Sequence, residues 1–161
     1  MTGLKSRALP MLEKAVLAFV CILGCSEFAA AHDVALVTSK NSCAKGARAA
    51  DLAKMIKTTH KCPDGHDLTV VLISLFSLEA RIAAAKLLSL TPEEFKKLID
   101  EENKERVIFL VVSSDDEVLK AVRGNTSAIG LVNVYNINSN VDVLKIDGKL
   151  PLEFGYALHS Q

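Results

Sequence analysis

The chain has 161 residues and carries 19 basic and 19 acidic side chains, so its formal net charge at pH 7 is zero. This balance, without a basic cluster or stripe, argues against a nucleic acid as its partner. Half of the residues are hydrophobic, and the length suits an ordinary globular domain with a single core.

The N-terminal segment has the pattern of a secretory signal peptide. Three basic side chains precede an apolar run at residues 15–24, which is short for a membrane span. The small residues Ala29-Ala30-Ala31 then offer a cleavage site. We therefore expect residues 1–31 to be removed after Ala31 and the mature protein to be periplasmic, which N-terminal sequencing of the exported protein would test.

The same segment leaves two alternatives to soluble export. The apolar run could be retained as a membrane anchor, although its length is that of a signal peptide. Cys25 loosely resembles the lipidated cysteine of a bacterial lipoprotein, but the preceding Leu23 is bulky for its position. We favour cleavage without an anchor, which leaves residues 32–161 as a single domain with no stable membrane insertion.

The first half of this domain alternates strand-forming and helix-forming segments. Residues 34–37 are a short apolar run typical of a buried strand, and residues 45–57 have helical periodicity. The turn Cys62-Pro63-Asp64-Gly65 separates this helix from a second strand at residues 68–73. Ser77 is expected to begin the next helix.

The second half continues the alternation. Thr91-Pro92-Glu93-Glu94 is a capping box with proline at the first helical position. Residues 107–112, the most hydrophobic segment after the leader, predict a central strand in which Val111→Asp would prevent folding. A helix capped by Ser114 and ended by Gly124 follows. The alternation predicts an α/β fold, a mostly parallel sheet flanked by helices.

The order of motifs in the mature chain resembles that of phosphate ABC transporter substrate-binding proteins. Members of that family carry a helix, a "GAIGY" strand, a short loop and the sequence "VKVLKVDG". The matching residues here are Ala128-Ile129-Gly130-Leu131 and residues 141–148. Cys62-Pro63-Asp64-Gly65 also resembles the family's "W-P-D-G" turn, with cysteine in place of tryptophan. The resemblance implies a fold like one lobe of a type II periplasmic binding protein.

The resemblance also implies a phosphate site, but this chain departs from the family there. Larger members hold phosphate with an Arg/Ser-Gly-Thr segment at a helix N-terminus, where backbone amides and the helix dipole favour an anion. Residues 73–78 occupy that position here and are mostly apolar. The roughly 130 mature residues are also too few for the two lobes of a full receptor. We therefore expect a short single-lobe member with a weak or degenerate oxyanion site.

The candidate site combines two polar groups that each follow a predicted strand. One is the loop with Ser39, Asn41 and Ser42; the other is Ser77, with Arg81 one turn further as a countercharge. The carboxyl ends of parallel strands meet at one edge, so we expect both groups to face phosphate or another small oxyanion. Alternatively, Ser77 only caps its helix and Arg81 is solvated. The chain is then a receptor-derived module that binds a membrane transporter or another envelope protein.

The remaining reactive side chains give no further function. Cys43 and Cys62 flank a helix on the order of 15 Å long, and a disulfide needs Cα atoms within roughly 7 Å, so free thiols are favoured although export permits a disulfide. Four residues crowd one turn: His60, Cys62, Asp64 and His66. Their spacing matches no standard zinc site. Without a nucleophile elbow or a glycine-rich phosphate loop, the sequence predicts neither an enzyme nor a cofactor.

Overall fold

The computed structural model describes residues 33–159, which form a five-stranded sheet with helices on both faces. The signal-peptide, anchor and lipoprotein predictions concern residues outside this range. Among the described helices, none is long and apolar enough to span a bilayer. The elements in chain order are β1 (Val34–Thr38), α1 (Ala49–Lys54) with a π-helical continuation (Met55–Thr59), β2 (Thr69–Leu72), α2 (Leu78–Lys86), α3 (Pro92–Glu102), β3 (Phe109–Val111), α4 (Asp115–Arg123), β4 (Ala128–Asn133) with a 3₁₀ turn (Val134–Asn136), and β5 (Asp142–Val143).

Four of the five strands run in one direction, which confirms the predicted α/β class and its mostly parallel sheet. The strand order is β3-β2-β4-β1-β5; β2 is parallel to both neighbours, and β1 is antiparallel to β4 and β5. The register places Thr38 opposite Ile129 and Val34 opposite Asn133. We call the edge where β2, β3 and β4 end the carboxyl edge and the opposite one the amino edge. β1 therefore begins at the carboxyl edge and ends at the amino edge.

The sheet separates two apolar layers. On one face, α1, α2 and α3 cover a core that includes Leu36 and Phe109, and Phe95 of α3 meets the Phe109 ring edge to face, with ring centroids 5.9 Å apart. On the other face, α4 packs through Val118 and Val122. Because β1 is covered on both faces and paired on both sides, its five residues are all buried, which explains its unbroken apolar sequence.

Gly130 allows α4 to lie close against β4. A Cβ atom added at this position would be 2.6 Å from Cγ1 of Val118 and 2.8 Å from Cγ2 of Val122. Such distances are far inside van der Waals contact, so a larger residue would push the helix away from the sheet. The glycine of the Ala-Ile-Gly motif therefore has a packing role in this chain.

The predicted central position of residues 107–112 is wrong, because β3 is an edge strand and Val111 is 49% exposed. An apolar run alone does not distinguish a central strand from an edge strand. The free side of β3 is instead covered by Asn103. Its side-chain oxygen accepts hydrogen bonds from the N–H groups of Ile108 and Phe109 at 3.0 and 2.9 Å. Its amide donates to the Phe109 carbonyl oxygen at 2.8 Å.

Cys43 and Cys62 form a disulfide with their Cα atoms 5.7 Å apart, so the expectation of free thiols is wrong. That expectation placed the two residues at opposite ends of one helix. In the structure, α1 begins only at Ala49, so residues 44–48 separate Cys43 from the helix. These five residues can span roughly 17 Å, which is enough for the chain to run back along the helix and bring Cys43 to Cys62. After the helix, His60 adopts a left-handed conformation, φ 51°, that redirects the chain.

The two valines at positions 111 and 71 give a test of the strand order. Because Val111 is half exposed, we expect Val111→Asp to fold and to lose less than about 1 kcal/mol of stability. Val71 of β2 is fully buried, so Val71→Asp should abolish cooperative thermal unfolding, followed by circular dichroism. An unfolded Val111→Asp protein would show that the Val111 side chain is buried.

The disulfide should contribute measurably to stability. It joins residues 19 positions apart, so reducing it should lower the free energy of unfolding by about 3 kcal/mol, through the greater entropy of the unfolded chain. Urea denaturation with and without a reductant measures this difference. The double variant Cys43→Ala/Cys62→Ala is the control and should not respond to the reductant. An unchanged midpoint for the natural chain would contradict the assignment.

Candidate functional site

The helix start that the sequence predicts at Ser77 lies at the carboxyl edge of the sheet. The Ser77 hydroxyl oxygen accepts a hydrogen bond from the Ala80 N–H at 3.1 Å and so caps α2. Within the turn from β2 to α2, the Ser74 hydroxyl oxygen accepts from the Phe76 N–H at 3.2 Å. Both serines therefore hold the local backbone. Arg81 is exposed one turn further along α2.

The structure does not bring the two predicted polar groups together. Ser39, Asn41 and Ser42 follow β1, which ends at the amino edge because it is antiparallel to β4. Ser77 and Arg81 follow β2, which ends at the carboxyl edge. The convergence expected from the sequence is wrong, since it assumed that β1 runs parallel to β2. Ligand binding by either group, residues 39–42 or Ser77 with Arg81, stays a prediction.

The loop at the amino edge is fixed by its own hydrogen bonds. The Ser42 N–H donates to the Ser39 carbonyl oxygen at 3.2 Å, and the Ser42 hydroxyl oxygen accepts from the Ala44 N–H at 3.1 Å. The next residue, Cys43, donates its N–H to the Thr126 carbonyl oxygen at 3.1 Å. Ser39 and Ser42 are both buried. These contacts give the loop a structural role beside the start of β4.

The second helix start at the carboxyl edge is acidic. The first turn of α4 holds Asp115, Asp116 and Glu117, after the Ser114 cap. The Glu117 carboxylate accepts hydrogen bonds from the N–H and the hydroxyl of Ser113, both at 2.8 Å, and these lower the pKa of Glu117. Asp115 accepts from the Asn136 side-chain amide of the turn after β4. Three carboxylates at this helix start oppose the binding of an anion there.

Large apolar side chains are exposed along the carboxyl edge. The described residues include eight exposed large hydrophobic residues. Four of them lie at or after the ends of β2, β3 and β4, and two lie near Asp33, the residue that precedes β1. Val107 lies at the opposite end of β3, and Leu110 lies in its middle. The other six of these eight side chains thus lie toward one edge of the sheet. We call the six residues the apolar rim: Phe76, Leu78, Val111, Tyr135, Leu152 and Phe154.

Two aromatic residues of the apolar rim are the most accessible. Phe154 is 100% exposed and Tyr135 is 74% exposed. Phe76, at 70%, lies directly before the Ser77 cap, and Leu78 follows it. Apolar side chains on both sides of Ser77 supply no hydrogen bonds to an oxyanion. The surface around the start of α2 is therefore better suited to an apolar partner than to phosphate.

A cavity of about 640 Å³ lies between the C-terminal segment and the start of β1, beside Leu152 and Phe154. Its buried carboxylate, Asp33, pairs with Nδ1 of His159. Lys86 donates a hydrogen bond to the His159 carbonyl oxygen. The wall is therefore mixed, since Leu152 and Phe154 lie in it beside the Asp33–His159 pair, Lys86 and Glu153.

Tyr156 forms part of the same cavity wall and is 4% exposed. Burial is the main cause that raises the pKa of its hydroxyl, and the nearby Asp33 carboxylate adds to the effect. The phenol therefore stays neutral at physiological pH, and the wall of the cavity gains no charge from it.

The four residues at positions 60, 62, 64 and 66, whose types can bind metals, are engaged in other contacts. Cys62 is in the disulfide, His66 lies 3.2 Å from the Asp64 carboxylate, and the buried His60 pairs with Glu102 through Nε2 at 3.1 Å. Within residues 33–159, no group of three or more such side chains is arranged to hold a metal ion.

The five-stranded sheet with helices on both faces is a fold that this chain shares with part of larger solved proteins. No protein-family model and no curated protein matches the sequence. Solved structures do match. An ABC-type phosphate transport receptor from Vibrio cholerae superimposes with a TM-score of 0.61 at 17% identity, and PstS from Borrelia burgdorferi with a TM-score of 0.62 at 14% identity.

Both matches cover 81% of this chain but only 54% and 55% of the respective receptors. The chain thus spans about half the length of the structures it resembles. At these identities the likeness concerns the fold. The resemblance to phosphate ABC transporter substrate-binding proteins that the motifs predicted is confirmed at that level.

Proposed function

We propose that this chain is a non-catalytic, periplasmic binding module with the fold of a receptor lobe, and that it contacts a protein through the apolar rim. The observation that carries the proposal is the grouping of six large, exposed apolar side chains at one edge of the sheet. The same edge lacks the polar loop of residues 39–42, which would have favoured a small anion.

The chemistry of the apolar rim favours a protein over a small solute. Phe76, Tyr135 and Phe154 are aromatic, and aromatic side chains are enriched among the residues that dominate protein interfaces. The Asp33 carboxylate already has a partner in Nδ1 of His159, so it keeps this partner when the rim is covered. A protein of the cell envelope is the class of partner that fits an exported domain.

The disulfide supports the proposed location. Disulfides persist in oxidising compartments such as the bacterial periplasm and are rare in the cytosol. The Cys43–Cys62 bond therefore agrees with export by the N-terminal segment.

A photo-crosslinking side chain tests the proposal in living cells. Introduced at position 154, and separately at position 135, p-benzoylphenylalanine should form an adduct with a single partner that mass spectrometry identifies. Val107 is 63% exposed but lies at the amino edge, so the same substitution there is the matched control and should give no adduct. Adducts of equal yield at position 107, or none at positions 154 and 135, would contradict the proposal.

A second candidate function is weak binding of phosphate or another small oxyanion at the start of α2. Ser77 places the first amides of this helix at the carboxyl edge, where ligands gather in α/β sheets, and Arg81 offers a countercharge. With few contacts and a half-solvated anion, we expect a dissociation constant on the order of millimolar.

Calorimetric titration with phosphate and sulfate tests this candidate. Binding that Arg81→Ala weakens and Lys40→Ala leaves unchanged would support it, because Lys40 is exposed in the loop at the amino edge. No binding heat at roughly ten times the expected constant would eliminate it.

A further inference from the structure

We propose that the partner of the apolar rim is a second copy of this chain, so that the protein forms a twofold-symmetric dimer through its carboxyl edge. This inference rests on the proposed function and names its partner. A symmetric dimer uses one surface twice, so that surface must be complementary to itself.

The carboxyl edge has a projecting side chain and a cavity next to each other. Phe154 is fully exposed and lines the cavity of about 640 Å³. The wall also contains Leu152 and Tyr156 and the polar residues Asp33, Lys86, Glu153 and His159. This volume is within the range of pockets that enclose small ligands, roughly 300–1,000 Å³. Across a twofold axis, Phe154 of each copy can therefore enter the cavity of the other. The same contact is made twice.

The charges of the chain allow two copies to approach. Residues 32–161 carry 16 basic and 17 acidic side chains, so long-range repulsion between copies is small. Both signs occur near the carboxyl edge. Arg81 and Lys86 of α2 are exposed, and so is Asp116 in the first turn of α4. A symmetric arrangement can place the basic helix of one copy opposite the acidic helix start of its partner.

The alternative route to self-association, pairing of edge strands, is obstructed. The outermost strand on one side of the sheet is β3, and Asn103 forms hydrogen bonds with the outward N–H and carbonyl groups of its Phe109. The outermost strand on the other side is β5, which has only two residues, Asp142 and Val143. Blocked and very short edge strands are how natural sheets avoid pairing with another chain. This leaves the apolar rim as the surface for a dimer.

Sedimentation velocity of the purified protein, in the form the cell exports, tests the dimer. We expect a monomer–dimer equilibrium whose dissociation constant rises at least about 30-fold in Phe154→Asp, the effect of losing one central interface residue. Val107→Asp places the same charge at the amino edge and should leave the constant unchanged. Both side chains are exposed, so circular dichroism melts should show both variants folded.

A monomer at every concentration, or a dimer that Phe154→Asp leaves intact, would overturn the inference. These results are distinct from failure of the proposed function. A monomeric protein that crosslinks through position 154 to a different protein in cells would retain the rim as a docking surface while excluding the second copy. A monomer without any rim adduct would overturn both.

Discussion

The antiparallel pairing of β1 with β4 is the constraint on which the rest of the structure depends. β1 lies between β4 and β5, and all five of its residues are buried, so its direction cannot change without dismantling the core. This direction sends the polar loop at residues 39–42 to the amino edge and brings Asp33 to the carboxyl edge, beside the C-terminal segment. The carboxyl edge consequently lacks polar side chains from this loop and exposes the apolar rim.

Two close contacts hold the elements that surround β1. The missing side chain at Gly130 lets Val118 and Val122 of α4 pack directly on β4, which fixes the acidic start of α4 at the carboxyl edge. The disulfide, together with the hydrogen bond from Cys43 to Thr126, fastens the amino-edge loop beside the start of β4. The scaffold is thus held from both ends of the sheet.

The features that depend on local sequence could be predicted, and those that depend on the path of the chain could not. The capping box at Thr91 and the cap at Ser114 are formed as expected, because a cap involves residues only three positions apart. The alternation of strands and helices also gave the correct class. An apolar strand sequence, however, carries no sign of direction or order. The sequence therefore predicts a parallel β1 and a central Val111, and the structure has neither. The sequence predicts free thiols because the length of the helix separates Cys43 from Cys62, but residues 44–48 run back along that helix and bring the two residues together.

The cross-strand contacts of β1 test its direction most directly. In a nuclear Overhauser spectrum of the labelled protein, we expect contacts between Thr38 and Ile129 and between Val34 and Asn133, at opposite ends of the strand. Contacts from Val34 to the first residues of β4 would instead show that β1 runs parallel to it. The loop at residues 39–42 would then lie at the carboxyl edge, and the assignment of that edge to a protein partner would be contradicted.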